Sequence, residues 1–268
     1  VDAASLQTDV AGSGIQTTAA GNRVVIQGGR ISTSGVQHYA EAVQLDNASH
    51  TTVLNTQNSA LIFDAAVTNA GQVAQDLTIQ TGTGAVTFNA AVGEAANGST
   101  AAKPLGDVTI NSEGVTTLVS TVDAASLQTD VAGSGIQTTA AGNRVVIQGG
   151  RISTSGTQTY NDALQMAGDT TLNATSITFN APVTGSGALH VSGLSTMNGG
   201  SVTTAGAQNY TAAMTLGADT TLDAGASAVT LGGTVDGAHS LTVNTTGTTR
   251  FNAAVGDAMP LRSLTTNA

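Results

Sequence analysis

A chain of 268 residues with 9% charged and 3% aromatic residues, and neither Cys nor Trp, is far from an average globular composition. It is equally wrong for disorder, because 40% of its residues are hydrophobic and its mean hydropathy is slightly positive, whereas disordered segments are poor in apolar residues and rich in charge or proline. The net charge of −10, with Lys103 the sole lysine, offers no basic patch for nucleic acid; the lack of an 18-residue apolar run offers no transmembrane helix for membrane insertion; and zero cysteine removes disulfides and thiolate metal sites.

The remaining composition suits narrow, closely stacked β-structure, since Thr and Val favour strands and Gly and Asn supply turns. The chain opens on its largest repeat. Val1 to Gly35 reads VDAASLQTDVAGSGIQTTAAGNRVVIQGGRISTSG, and Val122 to Gly156 repeats it residue for residue. Core packing does not demand identity at surface-type positions such as Gln7, Asp9 and Arg23, so duplication of the coding segment is the simplest origin. Each copy runs into Gly-x-Gln-x-Tyr, at Gly35-Gln37-Tyr39 and Gly156-Gln158-Tyr160. A third stands at Gly206-Gln208-Tyr210, and together they hold every tyrosine. The pattern Phe-(Asn/Asp)-Ala-x-Val starts at Phe63, Phe88, Phe179 and Phe251, which are all the phenylalanines, with a degraded copy from Leu231 to Val235. Between them lie the short alternating segments Leu77-Thr78-Ile79, Val108-Thr109-Ile110, Leu189-His190-Val191 and Leu241-Thr242-Val243. Thr-Thr-Leu recurs at Thr116 to Leu118, Thr170 to Leu172 and Thr220 to Leu222.

These spacings predict an all-β fold, a right-handed parallel β-helix (β-solenoid) with coils of about 20–25 residues whose neighbouring strands pair ~4.8 Å apart. Some 12 coils make a rod of roughly 60 Å at that spacing. A β-sandwich also shows short strands and frequent turns, but the recurrence of aromatics in fixed slots favours the solenoid. A narrow interior has few positions wide enough for a ring, so Phe63, Phe88, Phe179 and Phe251 are expected to form an interior column flanked by Val and Leu, and Tyr39, Tyr160 and Tyr210 recur in fixed slots as well. The residue after each Phe (Asp64, Asn89, Asn180, Asn252) is expected at a corner, bonding the backbone or its stacked neighbour. Residues 1–121 form one repeat unit and 122–268 a second, continuous with it in a single solenoid. The start at Val1 and the lack of a signal-peptide pattern suggest a mature fragment. Ser263 to Ala268 resembles the Ser5-Leu6-Gln7-Thr8-Asp9 that opens each long repeat, so the chain is expected to stop inside a repeat, with solenoid ends open to edge pairing.

The succession Gly-x-Gln-x-Tyr, Asp-Thr-Thr-Leu (Asp169 to Leu172, Asp219 to Leu222), Leu-Thr-Val, Phe-Asn-Ala-Ala-Val-Gly and Pro-Leu-x-Ser-Leu-Thr-Thr (Pro260 to Thr266) resembles repeats of filamentous-haemagglutinin-like exoproteins. These are large bacterial adhesins exported by two-partner secretion or as autotransporter passengers. The resemblance implies a β-helix at the extracellular bacterial cell surface with roles in adhesion, aggregation or biofilm matrix. The family's amino-terminal secretion domain is not evident.

Candidate chemistry is sparse. Carbohydrate-active β-helices need clustered carboxylates, but Asp46, Asp64 and Asp76 are dispersed. His38, His50, His190 and His239 lack ligand spacing, and Gly12-Ser13-Gly14 and Gly28-Gly29 read as turns rather than phosphate cradles. No catalytic, metal or cofactor-binding residue is expected, and no cofactor. Asn-x-Ser/Thr sequons occur at Asn47, Asn97, Asn173, Asn209 and Asn244. The leading reading is a non-enzymatic structural or adhesive segment of a secreted surface fibre. Its expected partners are flanking coils or other copies of the same protein through the solenoid ends, and host-cell, matrix or polysaccharide receptors. The alternatives are a filament subunit stacking end to end, a carbohydrate-active enzyme and an ice-binding solenoid.

Overall fold

The structure is a computed structural model describing residues 2–7, 23–71, 73–93, 103–131 and 142–267. Those residues contain strands, turns and bends and no helix. Their ladders are parallel, coil upon coil, which makes the fold a β-solenoid. Contacts divide the chain into two compact units, Val1–Arg144 and Val145–Ala268.

In the first unit a complete coil carries three strands. Arg30–Thr33, Gln37–Tyr39 and Ala42–Leu45 are followed one coil later by Thr51–Asn55, Leu61–Phe63 and Val67–Asn69. Asp76–Gly82 and Val86–Phe88 continue the stack, then Leu105–Ser112 and Val115–Leu118. Strand alternation sends every second side chain inward, and parallel register places like residues above one another. Ile31, Leu54, Ile79 and Ile110 form one inward column. Val43, Val67, Val92 and Val122 form another. The stacked residues Asp64 and Asn89 are 25 apart in sequence, while Asp76 and Asp107, in the coil containing residues 94–102, are 31 apart.

The second unit is built on shorter coils. The corner residues Asn161, Asn180 and Asn198 follow at steps of 19 and 18. The long strands Thr170–Phe179 and Leu189–Met197 turn a corner without leaving the ladder, through a bulge between Asn173 and Ser176. Gly193 makes that corner possible: its φ is +136°, and a Cβ there would lie 2.1 Å from the Ala174 carbonyl oxygen. Further along, Ile152, Leu172, Val191, Tyr210, Leu231 and Phe251 stack in one column, and Leu164, Val183, Val202, Leu222 and Val243 in another.

The Thr-Thr-Leu element has a simple cause. Its first Thr and its Leu point inward and its middle Thr outward, in Val115–Leu118, Thr170–Phe179 and Thr220–Gly225 alike. The inward hydroxyl of Thr170 donates to the Gly168 carbonyl, and that of Thr220 to the Ala218 carbonyl. A buried hydroxyl is thereby satisfied within its own corner.

Candidate functional site

The most elaborate polar constellation of the described residues is the Gly-x-Gln-x-Tyr corner, built three times in the same way. Gln37, Gln158 and Gln208 are each wholly buried. Gln158 Nε2 donates to the Ile152 carbonyl (3.2 Å), to Thr154 Oγ1 (3.4 Å) and to the Asn173 carbonyl of the next coil (2.9 Å). Its Oε1 accepts from Tyr160 Oη (2.9 Å). Gln37 repeats the set with Ile31, Thr33, Asn55 and Tyr39, and Gln208 with Val202, Thr204, Asp223 and Tyr210. The full motif is therefore Thr-x-Gly-x-Gln-x-Tyr. One amide ties its own coil to the next and gives the buried phenol an acceptor. Burial pushes the phenol pKa of Tyr39, Tyr160 and Tyr210 well above the ordinary tyrosine value. These groups are protonated, sealed from solvent and unsuited to acid–base work.

Tyr and Phe rings share columns in both units. Tyr39 stacks on Phe63 (ring centroids 5.1 Å apart) and Phe63 on Phe88 (4.8 Å), so one column holds both kinds of ring, and Leu118 follows Phe88 in register. Tyr160 stacks on Phe179 at 5.8 Å, and Met197 and Leu216 continue that column. Tyr210 and Phe251 lie in a different column, separated by Leu231. Phe251 is only half-buried. The motif recurs 50 residues after its second copy, out of step with the second unit's steps of 18–21 residues, and its third copy therefore lands on a different face from its second.

The residues after Phe sit just past the strand ends and join neighbouring coils. Asn89 Nδ2 donates to Asp64 Oδ1 (2.8 Å), and Asp64 Oδ2 pairs with His38 Nε2 (2.6 Å). Asn180 Nδ2 donates to Asn161 Oδ1, and Asn198 Nδ2 to Asn180 Oδ1, both at 2.6 Å. Asn252 is exposed, and its backbone N–H donates to the Leu231 carbonyl.

Carboxylates at the corners cap the next coil. Asp76 accepts from the Asp107 N–H, Asp169 from Ala188, and Asp236 from Ala258 and Met259. Asp219 accepts from the Ser240 N–H and lies 3.5 Å from both His239 and Arg262. The Ser240 bond leads in holding the Asp219 carboxyl below its usual range. Asp46 accepts from Gln27 Nε2. A buried case had no visible signal in the sequence. Asp130, at φ +42° and 1% exposed, accepts from the Ser112 N–H and from Asn143 Nδ2. The equivalent Asp9 of the first copy lies outside the described residues.

The four histidines stand apart. His38 pairs with Asp64, His239 with Asp219, His50 Nδ1 meets Gln75 Nε2 at 2.9 Å, and His190 lies on an outer face between Thr171 and Asn209. Among the described residues no group of three or more His, Asp or Glu side chains is placed to hold a metal ion. A shallow surface hollow of about 240 Å³ beside Asn47, His50 and Gln75 has its polar lining bonded internally. Of the sequons, Asn47 is buried and bonded to the Thr51 carbonyl, Asn173 is exposed, Asn209 and Asn244 are half-buried, and Asn97 lies outside the described residues. Gly12-Ser13-Gly14 lies there too.

The class is thus a parallel β-solenoid with coil-to-coil polar ladders at its corners. No family model matches the chain, and no curated protein or solved structure matches it either.

Proposed function

We propose that this chain is a structural or adhesive β-solenoid segment of a large secreted bacterial surface or extracellular fibre protein, similar to the filamentous-haemagglutinin-like exoproteins. One observation carries the reading: the most elaborate polar groups are spent on joining one coil to the next. The Gln amides, the Asn161–Asn180–Asn198 series and the Asp caps all bond across coils. A polar inventory used that way suits a load-bearing stack, in which each coil is held by its neighbours, better than it suits turnover of a substrate. Receptors on a host cell, a matrix protein or a polysaccharide would meet the outward Thr, Asn and Ser columns.

A second reading has one supporting feature. Thr159, Thr178, Thr196 and Thr215 form an outward column, one Thr per coil, the kind of row that orders water in an ice-binding solenoid. The adjacent column runs Thr157, Ser176 and the exposed Leu194. That break in the second row favours the structural reading. Measured thermal hysteresis in the purified chain would revive the ice-binding one.

The test of the main reading is immunogold labelling of intact cells producing the parent protein, with antibody raised against residues 145–268. Gold on the outer surface or on shed fibres is the expected result. Labelling only after permeabilisation would overturn the reading.

A further inference from the structure

Two Asn-Gly pairs occur in the chain, Asn97-Gly98 and Asn198-Gly199. The first lies outside the described residues. The second closes the Asn161–Asn180–Asn198 series, on an exposed corner directly after Leu189–Met197. Asparagine is a thermolabile residue, and before glycine it is at its most labile, because no β-carbon shields the backbone nitrogen that follows. That nitrogen can attack the side-chain carbonyl carbon and close a five-membered imide.

The folded corner opposes that attack at both reacting groups. Asn198 Nδ2 donates to Asn180 Oδ1 at 2.6 Å. Asn198 Oδ1 rests against Gly217 of the next coil, where a β-carbon would overlap it. The Gly199 N–H, which carries the attacking nitrogen, donates to the Phe179 carbonyl (3.0 Å), and the same carbonyl accepts from the Asn198 N–H (2.9 Å). Gly199 is also pressed against Ala181, whose carbonyl a β-carbon would meet. Ring closure requires the nitrogen to lose its proton and swing towards Asn198 Cγ, so it breaks the bonds to Phe179 and to Asn180 together.

We propose that Asn198 is a self-modifying site, deamidated through the Gly199 nitrogen with water as co-reactant, and that the coil stack keeps it closed while the chain is folded. In the reaction the Gly199 nitrogen gives its proton to solvent and bonds to Asn198 Cγ. The bond from Cγ to Nδ2 breaks, and Nδ2 takes up a proton and leaves as ammonia. Water then opens the imide. Opening at Cγ restores the backbone with an aspartate, and opening at the main-chain carbonyl leaves an isoaspartate whose backbone runs through Cγ.

Neither product fits the corner. A carboxylate at position 198 has no donor for Asn180 Oδ1 and sets one acceptor against another. Turning the Asn180 amide over to compensate would set its oxygen against Asn161 Oδ1. The isoaspartate adds a carbon between two N–H groups that share the Phe179 carbonyl. Deamidation therefore marks a chain that has spent time unfolded and weakens its return to the stack. This goes beyond the reading of the chain as a section of fibre and does not depend on it.

Peptide mass mapping tests it. The purified chain is held at mildly alkaline pH, folded in buffer and unfolded in concentrated urea, and each amide-to-acid mass gain is assigned to its residue by fragmentation. In urea Asn198 should convert at a rate close to that of Asn97, its internal reference. In the folded chain Asn198 should convert at least about tenfold more slowly, because reaction waits on local opening of the corner. Asn180→Ala, with folding checked by far-UV circular dichroism, should speed the folded conversion severalfold. Asn198→Asp should refold with a lower urea midpoint than wild type. The wild-type comparison of buffer with urea stands by itself should Asn180→Ala not fold. Equal rates in buffer and urea, no conversion of Asn198 in urea, an unchanged folded rate in a folded Asn180→Ala, or an Asn198→Asp chain as stable as wild type would each overturn the proposal.

Discussion

Tyr160 Oη donates to Gln158 Oε1 across 2.9 Å, with both side chains wholly buried, and the pair is rebuilt at Tyr39–Gln37 and Tyr210–Gln208. The two partners are not equivalent. Tyr160→Phe removes one donor and leaves one amide oxygen short, at a cost of about 1 kcal/mol. Gln158→Leu strands the phenol and the carbonyls of Ile152 and Asn173 together, at a cost of about 3 kcal/mol. Urea denaturation of the two single variants and the double variant should show this order, with the double close to Gln158→Leu alone. Equal midpoints for wild type and Gln158→Leu would remove the knot from the list of stabilising features.

The same burial sets behaviour in alkali. Each phenol's pKa is raised in the folded chain above its unfolded value near 10. The stabilisation this represents is complete below pH ~10 and is lost as pH rises towards the folded value. These are the only three tyrosines, and Trp is absent, so tyrosinate absorbance reports them cleanly. Ionisation should lag behind free tyrosine and then appear together with loss of β-sheet ellipticity. Reversible ionisation near pH 10 with the sheet intact would contradict the buried placement.

The repeat Gly-x-Gln-x-Tyr was legible because tyrosine occurs nowhere else in the chain. Its Thr partner four residues before Gln was hidden among the many other threonines, and only the folded corner singles out Thr33, Thr154 and Thr204. Strand positions and inward Val and Leu follow from period-two alternation, which is local. Columns are not local, because they depend on the length of every intervening coil. For that reason the shared Tyr39–Phe63–Phe88 column, and the placement of Phe179 and Phe251 in different columns of the second unit, were not readable from motif spacing.

Phe63 and Phe251 occupy equivalent places in the sequence motif but differ in burial. Phe63 is fully buried between two rings, so Phe63→Ala should cost about 3–5 kcal/mol through lost transfer energy and a cavity that the flanking rings cannot close. Phe251 is half-exposed, and Phe251→Ala should cost about 1 kcal/mol, since much less apolar area is returned to water. Thermal unfolding followed at a β-sheet wavelength compares them; similar midpoints would show that the ring stack adds nothing.

Two buried hydroxyls, Thr52 Oγ1 and Ser195 Oγ, have no hydrogen-bond partner. Thr52 is fully buried and faces Leu77 in register, and Ser195 is 2% exposed between Ile177 and Met214. Thr52→Val removes the unsatisfied group at nearly constant shape and should stabilise the chain by about 1 kcal/mol. Ser195→Ala should gain a similar amount. A rise in the denaturation midpoint at unchanged urea dependence is the expected signature. A fall in both would mean that each hydroxyl has a partner, such as a trapped water.

Asp64 supplies the acid-side counterpart to the tyrosines. Partial burial pushes its pKa upward, but the bonds from His38 and Asn89 outweigh that and hold the carboxyl below its ordinary value. A depressed carboxyl stabilises the fold above its unfolded pKa of ~3.9 and loses that contribution as pH falls through the folded value. The pair is substantially exposed, with side chains 27% and 42% accessible, so screening limits it to under about 1 kcal/mol at neutral pH. Asp64→Asn keeps an acceptor for Asn89 and deletes the charge. Melting temperatures of the two proteins should therefore differ most near neutral pH, where Asp64 is fully ionised, and converge in strong acid as its folded-state pKa is passed. Added salt should narrow the gap. A difference that is constant from neutral to acid pH would assign Asp64 to shape rather than charge.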